Sequence, residues 1–231
     1  MKIGIFTDTH YSSKPLTCQK RRNNLSLGKI KDAYELFKKE KCDLVVSLGD
    51  LIDIDDSHEL EKKHLAEIRD VISSYDIPTV CMMGNHDAFA FSVDEFYGTL
   101  RGYAPQTIEQ EGKLLLFLDA CYFKSGRHYA PGDSDWTDTF LPNSDELNSL
   151  LQTYAEEIVI FIHQNIDPAV QKDHRLDNAD EIHRMILNSR NVKKVFQGHY
   201  HTGNISTYGD LTYYTLPAVC ENNNAYFVFE I

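Results

Sequence analysis

Residues 43–53 read DLVVSLGDLID. The first part, Asp43–Leu48, is a short apolar, β-branched run with the pattern of a buried strand. It breaks at Gly49-Asp50, so an acidic residue stands just where the strand ends. Working outward, the same arrangement recurs on both sides. Lys2–Thr7 reads as a strand and runs into Asp8-Thr9-His10. Pro78–Met83 reads as a strand and runs into Gly84-Asn85-His86-Asp87. Between them lie two helical patterns. Leu25–Lys41 carries Leu27, Ile30, Tyr34 and Phe37 on one face, and Glu59–Tyr75 carries Leu65, Ile68 and Ile72. This β-α-β-α-β alternation predicts a parallel sheet covered by helices.

Further along, Gln106–Glu109 and Lys113–Leu118 flank Gln110-Glu111-Gly112 and are expected to form a hairpin. Ser144 is expected to cap a helix running to about Tyr154, with Asp145 and Glu146 in its first turn. Glu157–Ile162 contains IVIFI, a fully buried strand by pattern, and ends at His163-Gln164-Asn165. Asn178 and Glu181 have capping-box spacing ahead of Ile182, Met185 and Ile186. Lys193–Gln197 reads as a strand ending at Gly198-His199-Tyr200-His201. Asn204–Tyr208, Leu211–Leu216 and Ala225–Ile231 complete the strand candidates, with Gly209-Asp210 as a hairpin turn.

The chain of 231 residues carries 42% hydrophobic and 25% charged residues. That composition suits one globular domain over residues 1–231 with a sizeable core, and it argues against disorder. No apolar run approaches the ~20 residues of a membrane span. Asp8 comes too early for a signal peptide, so a cytoplasmic location is expected. Subtracting 35 acidic from 23 basic side chains leaves −12. Such a field disfavours nucleic acid and anionic membrane as partners. A small phosphorylated substrate remains compatible if local cations offset the field. The five cysteines are odd in number, scattered and without a CxxC pair. They are expected to be reduced and mostly buried, and not to form a thiolate metal site.

The chemistry concentrates in five polar clusters at strand ends. They contain Asp8 and His10, then Asp50 and Asp53, then Asn85 and His86, then His163, then His199 and His201. Ligands of open α/β sheets bind beyond the carboxyl ends of the strands. Any one cluster alone fits an ordinary turn or a hydrogen-bonded core histidine; five at that edge do not fit chance. Asp8, His10, Asp50, Asn85, His163, His199 and His201 offer carboxylate, amide and imidazole donors without sulfur. That mixture suits Mn²⁺, Fe or Zn²⁺. Seven donors exceed what one catalytic ion with open positions can use, and suit two ions sharing a carboxylate.

The pattern D-x-H, G-D-x-x-D, G-N-H-D, H, G-H-x-H from Asp8 to His201 resembles the calcineurin-like metallophosphoesterase superfamily. The resemblance implies an αββα four-layer sandwich, two mixed β-sheets flanked by helices. It implies one ion on Asp8, His10, Asp50 and His201, and a second on Asp50, Asn85, His163 and His199. It implies hydrolysis of phosphomonoesters, phosphodiesters or nucleotide diphosphates by in-line attack of a metal-bridging hydroxide. In that scheme His86 is the non-ligand histidine that protonates the leaving oxygen, and Asp53 orients it. Asp87 is expected to be structural, bonding nearby backbone. Arg21, Arg22, Ser26 and Leu27 are loosely similar to the branch with cyclic-nucleotide phosphodiesterases and Mn²⁺-dependent ADP-ribose pyrophosphatases. This leans the substrate toward a small nucleotide or diphosphate.

Ala120–Asn143 is a long stretch with weak periodicity and many rings, including Tyr122, Phe123, Trp136 and Phe140. It is a candidate substrate rim, with Arg127 and Tyr129 as candidate substrate-binding residues. Gln171–Asp177 is a second candidate rim. His58, His64 and His183 are expected to be solvent-exposed, and His128 and His174 to stay away from substrate. Two alternatives to the phosphohydrolase remain on the sequence. One is a metal-dependent nuclease, disfavoured by charge. The other is a non-catalytic scaffold on the same fold, disfavoured because every ligand position and His86 are filled.

Overall fold

The computed structural model describes residues 1–133, 138–154 and 156–231. Trp136 lies outside the described residues. Strands β1 (Lys2–Phe6), β2 (Leu44–Ser47), β3 (Thr79–Cys81) and β10 (Tyr226–Glu230) form one sheet in the order β10-β1-β2-β3. The second sheet contains β4 (Ile108–Gln110), β5 (Lys113–Leu118), β6 (Glu157–Ile162), β7 (Val192–Gln197), β8 (Asn204–Tyr208) and β9 (Leu211–Thr215). Its order is β4-β5-β6-β7-β9-β8. Both sheets are mixed. β10 lies antiparallel on the parallel set β1-β2-β3, while β4 and β8 lie antiparallel at the two edges of β5-β6-β7-β9.

The two-residue period of each strand sorts its side chains between two interiors. Ile3, Ile5, Leu44 and Val46 point into the space between the sheets, where they meet Val159 and Phe161. Phe6 and Val45 point the other way, onto helices α1 (Ser26–Glu40) and α2 (His58–Ser73). On the second sheet Ile158, Ile160 and Ile162 face helices α5 (Ser144–Thr153) and α6 (Ala179–Ser189). The result is helix, sheet, sheet, helix. The inter-sheet layer holds an aromatic ladder: Phe117, Phe161, Phe196 and Tyr214 sit opposite one another on four successive strands. Neighbouring rings stack at 4.9–5.3 Å, with interplanar angles of 16–18°. Truncating such a ring to alanine costs about 3–5 kcal/mol.

The strands and long helices fall within a few residues of their expected positions. The parallel set expected from the β-α-β-α-β alternation is present as β1-β2-β3, within the two mixed sheets that the family resemblance implies. Sequence reading omitted two short helices, α3 (Asn85–Ala90) and α4 (Val93–Thr99). Ser92 and Glu95 cap α4 reciprocally, with Ser92 Oγ accepting from Glu95 N and Glu95 accepting from Ser92 N. Asn178 does not cap α6. Its amide instead pairs with Leu141, accepting from the backbone N–H at 3.1 Å and donating to the carbonyl at 2.9 Å. Asn143, not Ser144, is the residue before α5, in a left-handed conformation without a side-chain cap bond. Four of the five cysteines are buried and all are free. No helix among the described residues is long and apolar enough to cross a membrane.

His64 and His183 depart from their expected exposure. His64 is buried on the inner face of α2, 3.4 Å from Asp55. His183 is buried on α6 with Nδ1 2.8 Å from the Tyr213 hydroxyl. Each ring lies on the helix face that packs inward; the Tyr213 hydroxyl satisfies His183, while His64 has the Asp55 carboxylate nearby but Nδ1 without a hydrogen bond. His58 is half-buried, the least buried of the three, beside Glu61 and Glu95.

Candidate metal centre

The motif loops after β1, β2, β3, β6 and β7 converge at one end of the sandwich. Turning a strand end sharply enough to aim its side chain inward needs unusual backbone. Asp8, His10, Asp50 and His199 all have positive φ, at 53°, 43°, 52° and 63°. For residues with a Cβ each such conformation costs on the order of 1–3 kcal/mol, and it persists only where the surroundings impose it. Two glycines serve close approach instead. A Cβ on Gly84 would lie 2.2 Å from Asp50 Oδ1, and one on Gly198 2.2 Å from Thr7 Oγ1.

Each of the two central aspartates is anchored through one oxygen and offers the other. Asp8 Oδ2 accepts from Thr7 Oγ1 at 2.6 Å and from His199 N at 3.0 Å. Asp8 Oδ1 is buried without a well-formed hydrogen bond, with His201 Nε2 3.2 Å away. Asp50 Oδ1 accepts from His86 N at 2.8 Å. Asp50 Oδ2 lies 3.5 Å from His10 Nε2 and 3.2 Å from His163 Nε2. His10 Nε2 and His201 Nε2 are 3.1 Å apart, and His163 Nε2 is 3.2 Å from Asn85 Oδ1. Donor atoms of Asp50, His163 and His199 all lie within 4.8 Å of one another. All seven predicted donors are therefore in one place, as two groups with Asp50 between them.

The electrostatics fit a donor set built around cations. Burial would raise the Asp8 and Asp50 carboxyls, but the surrounding imidazoles hold both well below the usual range. Burial pushes His10 down to about 4 and His199 down to about 3, helped by neighbouring His86 and His163 respectively. Burial also works against protonated His163 and His201, yet the Asp50 and Asp8 carboxylates raise them to about 9. An orphaned buried carboxylate oxygen facing converging imidazole nitrogens is what a divalent ion satisfies. The residues present fit two such ions.

Asp87 accepts from the backbone N–H groups of Leu51, Ile52 and Gly84 at 3.0–3.2 Å. It thereby fastens the β2 loop to the β3 loop, the structural part expected of it. Burial, with Asp50 nearby, raises its carboxyl to about 7. His86 projects beside the donor cluster with Nδ1 3.1 Å from Asp53 Oδ1. Asp53 Oδ2 accepts from Asn23 Nδ2 at 3.0 Å, and Arg21 reaches within 3.6 Å of it.

A cavity of about 420 Å³ opens over Asp50, Asn85 and His86. Lys20 and Arg21 supply cations to its wall, and His174 and Tyr200 supply rings 5.0 Å apart. The Gln171–Asp177 rim thus reaches the cavity, and His174 corrects the expectation that it stays away. Its ring lies 5.8 Å from that of His199, brought there by a short 3-10 turn at Lys172–His174.

Among the described residues, none of the other candidate rim lines this cavity. Tyr129 is only 2% exposed and packs against Phe89 and Phe123 at 5.0 and 4.7 Å. Arg127 lies on the surface, paired with Asp133 at 2.8 Å and stacked 4.4 Å over Phe123. Their segment covers the edge of the core beside α3, where rings gain more by burial than by exposure. His128 bonds Asp119 at 3.1 Å in the same segment.

Sequence reading did not find Cys220 and Glu221. Cys220 Sγ is grouped with His10 and His201, but burial keeps the thiol protonated far above its usual range. Glu221 Oε1 lies 2.5 Å from His201 Nδ1. Neither stands in a motif, and only the path of the chain after β9 brings them to the cluster.

Mixed sheets back to back, with oxygen and nitrogen donors at their carboxyl ends, define a metal-dependent phosphoesterase. The family model of the calcineurin-like phosphoesterases matches residues 1–203, and the chain belongs to that family. Its members work with a dinuclear metal centre, and this protein is a metallophosphoesterase, a hydrolase of phosphate esters. It is 27% identical over 240 residues to a probable cyclic nucleotide phosphodiesterase of Psychrobacter arcticus, covering 95% of this chain and 78% of that one. A probable cyclic nucleotide phosphodiesterase of Fibrobacter succinogenes is 25% identical, with 94% and 79% covered. A dimetal phosphatase from Danio rerio superposes with a TM-score of 0.82 at 18% identity, over 95% of this chain and 88% of that one.

Proposed function

We propose that the protein hydrolyses a phosphodiester bond of a small nucleotide, cyclic nucleotides included, at a two-ion centre. Asp8, His10, Asp50 and His201 hold one ion; Asp50, Asn85, His163 and His199 hold the other. The observation that carries this is Asp50 Oδ2, 3.5 Å from His10 Nε2 and 3.2 Å from His163 Nε2, a carboxylate oxygen between two donor groups. The sulfur-free donor set favours manganese, iron or zinc. Ions bound there supply charge that offsets the phosphoryl group and activate the attacking water.

The chain's own residues do the rest. His86 lines the cavity, and in this reading its Nε2 gives a proton to the departing oxygen. Asp53 accepts from Nδ1, fixes the tautomer and supports the imidazolium. Lys20, ion-paired with Glu221, and Arg21, near Asp53, are basic side chains on the cavity wall in a chain of net charge −12, so the bound ions supply most of the charge that offsets a phosphate. His174 and Tyr200 offer ring faces for a base. The cavity volume falls within the ~300–1,000 Å³ typical of small-molecule sites. The probable cyclic nucleotide phosphodiesterases among the relatives support the substrate class.

The test is hydrolysis by metal-stripped and manganese-reloaded protein across cyclic nucleotides, linear diesters, monoesters and nucleotide diphosphates. Metal-dependent cleavage with the diesters fastest is expected. Full activity without metal, or no diester cleavage by reloaded protein, overturns the proposal.

A further inference from the structure

Three side chains outside the motifs converge behind His201. Its Nε2 faces the donor cluster, 3.1 Å from His10 Nε2, while its Nδ1 lies 2.5 Å from Glu221 Oε1. Glu221 Oε2 is held by Lys20 Nζ at 2.9 Å. The turn that carries Glu221 is itself pinned. Val219 N and Cys220 N donate to Thr7 O and Asp8 O, and Ala218 N donates to His201 O, all at 3.1 Å. The buried Lys29 ammonium donates to the carbonyls of Val219 at 2.7 Å and Asn222 at 3.0 Å. The turn is therefore bound to the strand that supplies Asp8, to the helix that follows it, and to His201.

We infer that Glu221 is a positioning residue for the ion on Asp8, His10, Asp50 and His201. It accepts the proton of His201 Nδ1, which leaves the lone pair on Nε2, the atom that faces the cluster. A carboxylate in this place fixes the ring and makes the imidazole a stronger donor. One of the second ion's two histidines is treated differently. His163 Nδ1 donates to the neutral carbonyl of Leu48 at 3.1 Å. The two centres thus differ in what stands behind an imidazole, a full charge in one and a backbone dipole in the other. Lys20 keeps Glu221 turned toward His201, and Lys29 holds the turn at the right distance. Glu221 also lines the cavity, but its Oε1 is committed to His201 Nδ1, so its effect on the ion is assigned to the path through His201, and metal affinity, not turnover, is the readout.

The inference rests on the two-ion reading above, and the experiment separates the two. Metal-stripped protein is titrated with Mn²⁺ alone, followed by calorimetry and by Mn²⁺ electron paramagnetic resonance. Wild type is expected to show two binding events. Glu221→Gln should weaken one of them about 10–100-fold and leave the other unchanged, with the unfolding midpoint of the metal-free protein preserved. Glu221→Asp should be intermediate. Two unchanged affinities, or equal weakening of both, overturn the inference while the two-ion reading stands. A wild type that takes up no manganese overturns both. Lys20→Met removes an exposed side chain and provides a second route if Glu221→Gln does not fold. It should weaken the same single event by a smaller factor, and no change in either event counts against the inference.

Discussion

His86 Nδ1 lies 3.1 Å from Asp53 Oδ1, and both side chains are only 12% exposed. The carboxylate is held from behind by Asn23 Nδ2 and approached by Arg21. Burial works against its charge, yet the His86 bond and nearby His10 and Arg21 keep the carboxyl well below the usual range. Asp53 is therefore held ionised near neutral pH, and the Nδ1 edge of the imidazole is committed to it.

This pair predicts an uneven loss of activity. Proton donation matters for a poor leaving group such as a ribose alkoxide and little for p-nitrophenolate. His86→Asn should cost about 10²–10⁴-fold on alkyl esters and far less on p-nitrophenyl esters, with both ions still bound. Asp53→Asn should follow the same trend more weakly. The check is log rate against leaving-group pKa for each protein. Parallel lines would assign His86 to charge stabilisation instead.

Asp50→Asn should be the most damaging single change at the metal centre. Its Oδ2 faces both donor groups, and its Oδ1 anchors His86 N. Manganese occupancy measured by elemental analysis should fall at both positions. Retention of two ions at wild-type affinity would remove Asp50 from the bridging position.

The aromatic segment should separate stability from catalysis. Tyr129→Ala opens a cavity between Phe89 and Phe123 and should cost about 3–5 kcal/mol, read from urea unfolding. Arg127→Ala removes an exposed pair worth about 0–1 kcal/mol and should leave KM and relative rates unchanged. Altered preference among substrates in Arg127→Ala would return the segment to the substrate rim.

Asp55 gives a pH dependence apart from the metal donors. Burial tends to raise its carboxyl, but Ser13 N at 2.6 Å, Ser13 Oγ at 2.9 Å and Asp56 N at 2.8 Å lower it overall. The folded value lies below the unfolded one of about 3.9, so the stabilisation is present above that pH and disappears as pH falls through the folded value. Asp55→Asn should lose about 1.5–3 kcal/mol near neutrality. The deficit should shrink toward zero in acid. Urea unfolding of both proteins across that range measures it, and a constant deficit would exclude the charge as its source.

Much of this was legible because the donors sit in short motifs. D-x-H, G-D-x-x-D, G-N-H-D and G-H-x-H each occupy a strand-to-loop junction, so local pattern located Asp8, Asp50, Asn85 and His199 without any contact being known. The same logic failed for rings. Tyr129 and His174 both lie in irregular stretches, and composition cannot distinguish a ring packed on the core from one facing a cavity. Only the packing of Tyr129 against Phe89 and the 3-10 turn under His174 separate them.

By itself the sequence determined the alternation of strands and helices and the five polar clusters at strand ends that hold the candidate donors, because each cluster depends on neighbours a few residues apart. The tertiary structure decided how the strands divide into two sheets and which oxygen of each aspartate stays unanchored. It also brought Glu221 and Lys29 behind the centre. Those outcomes rest on contacts such as Asn85 with His163 and Lys29 with Val219, across 78 and 190 residues of chain. No local period encodes such contacts; they form only when the apolar faces of both sheets are buried against each other.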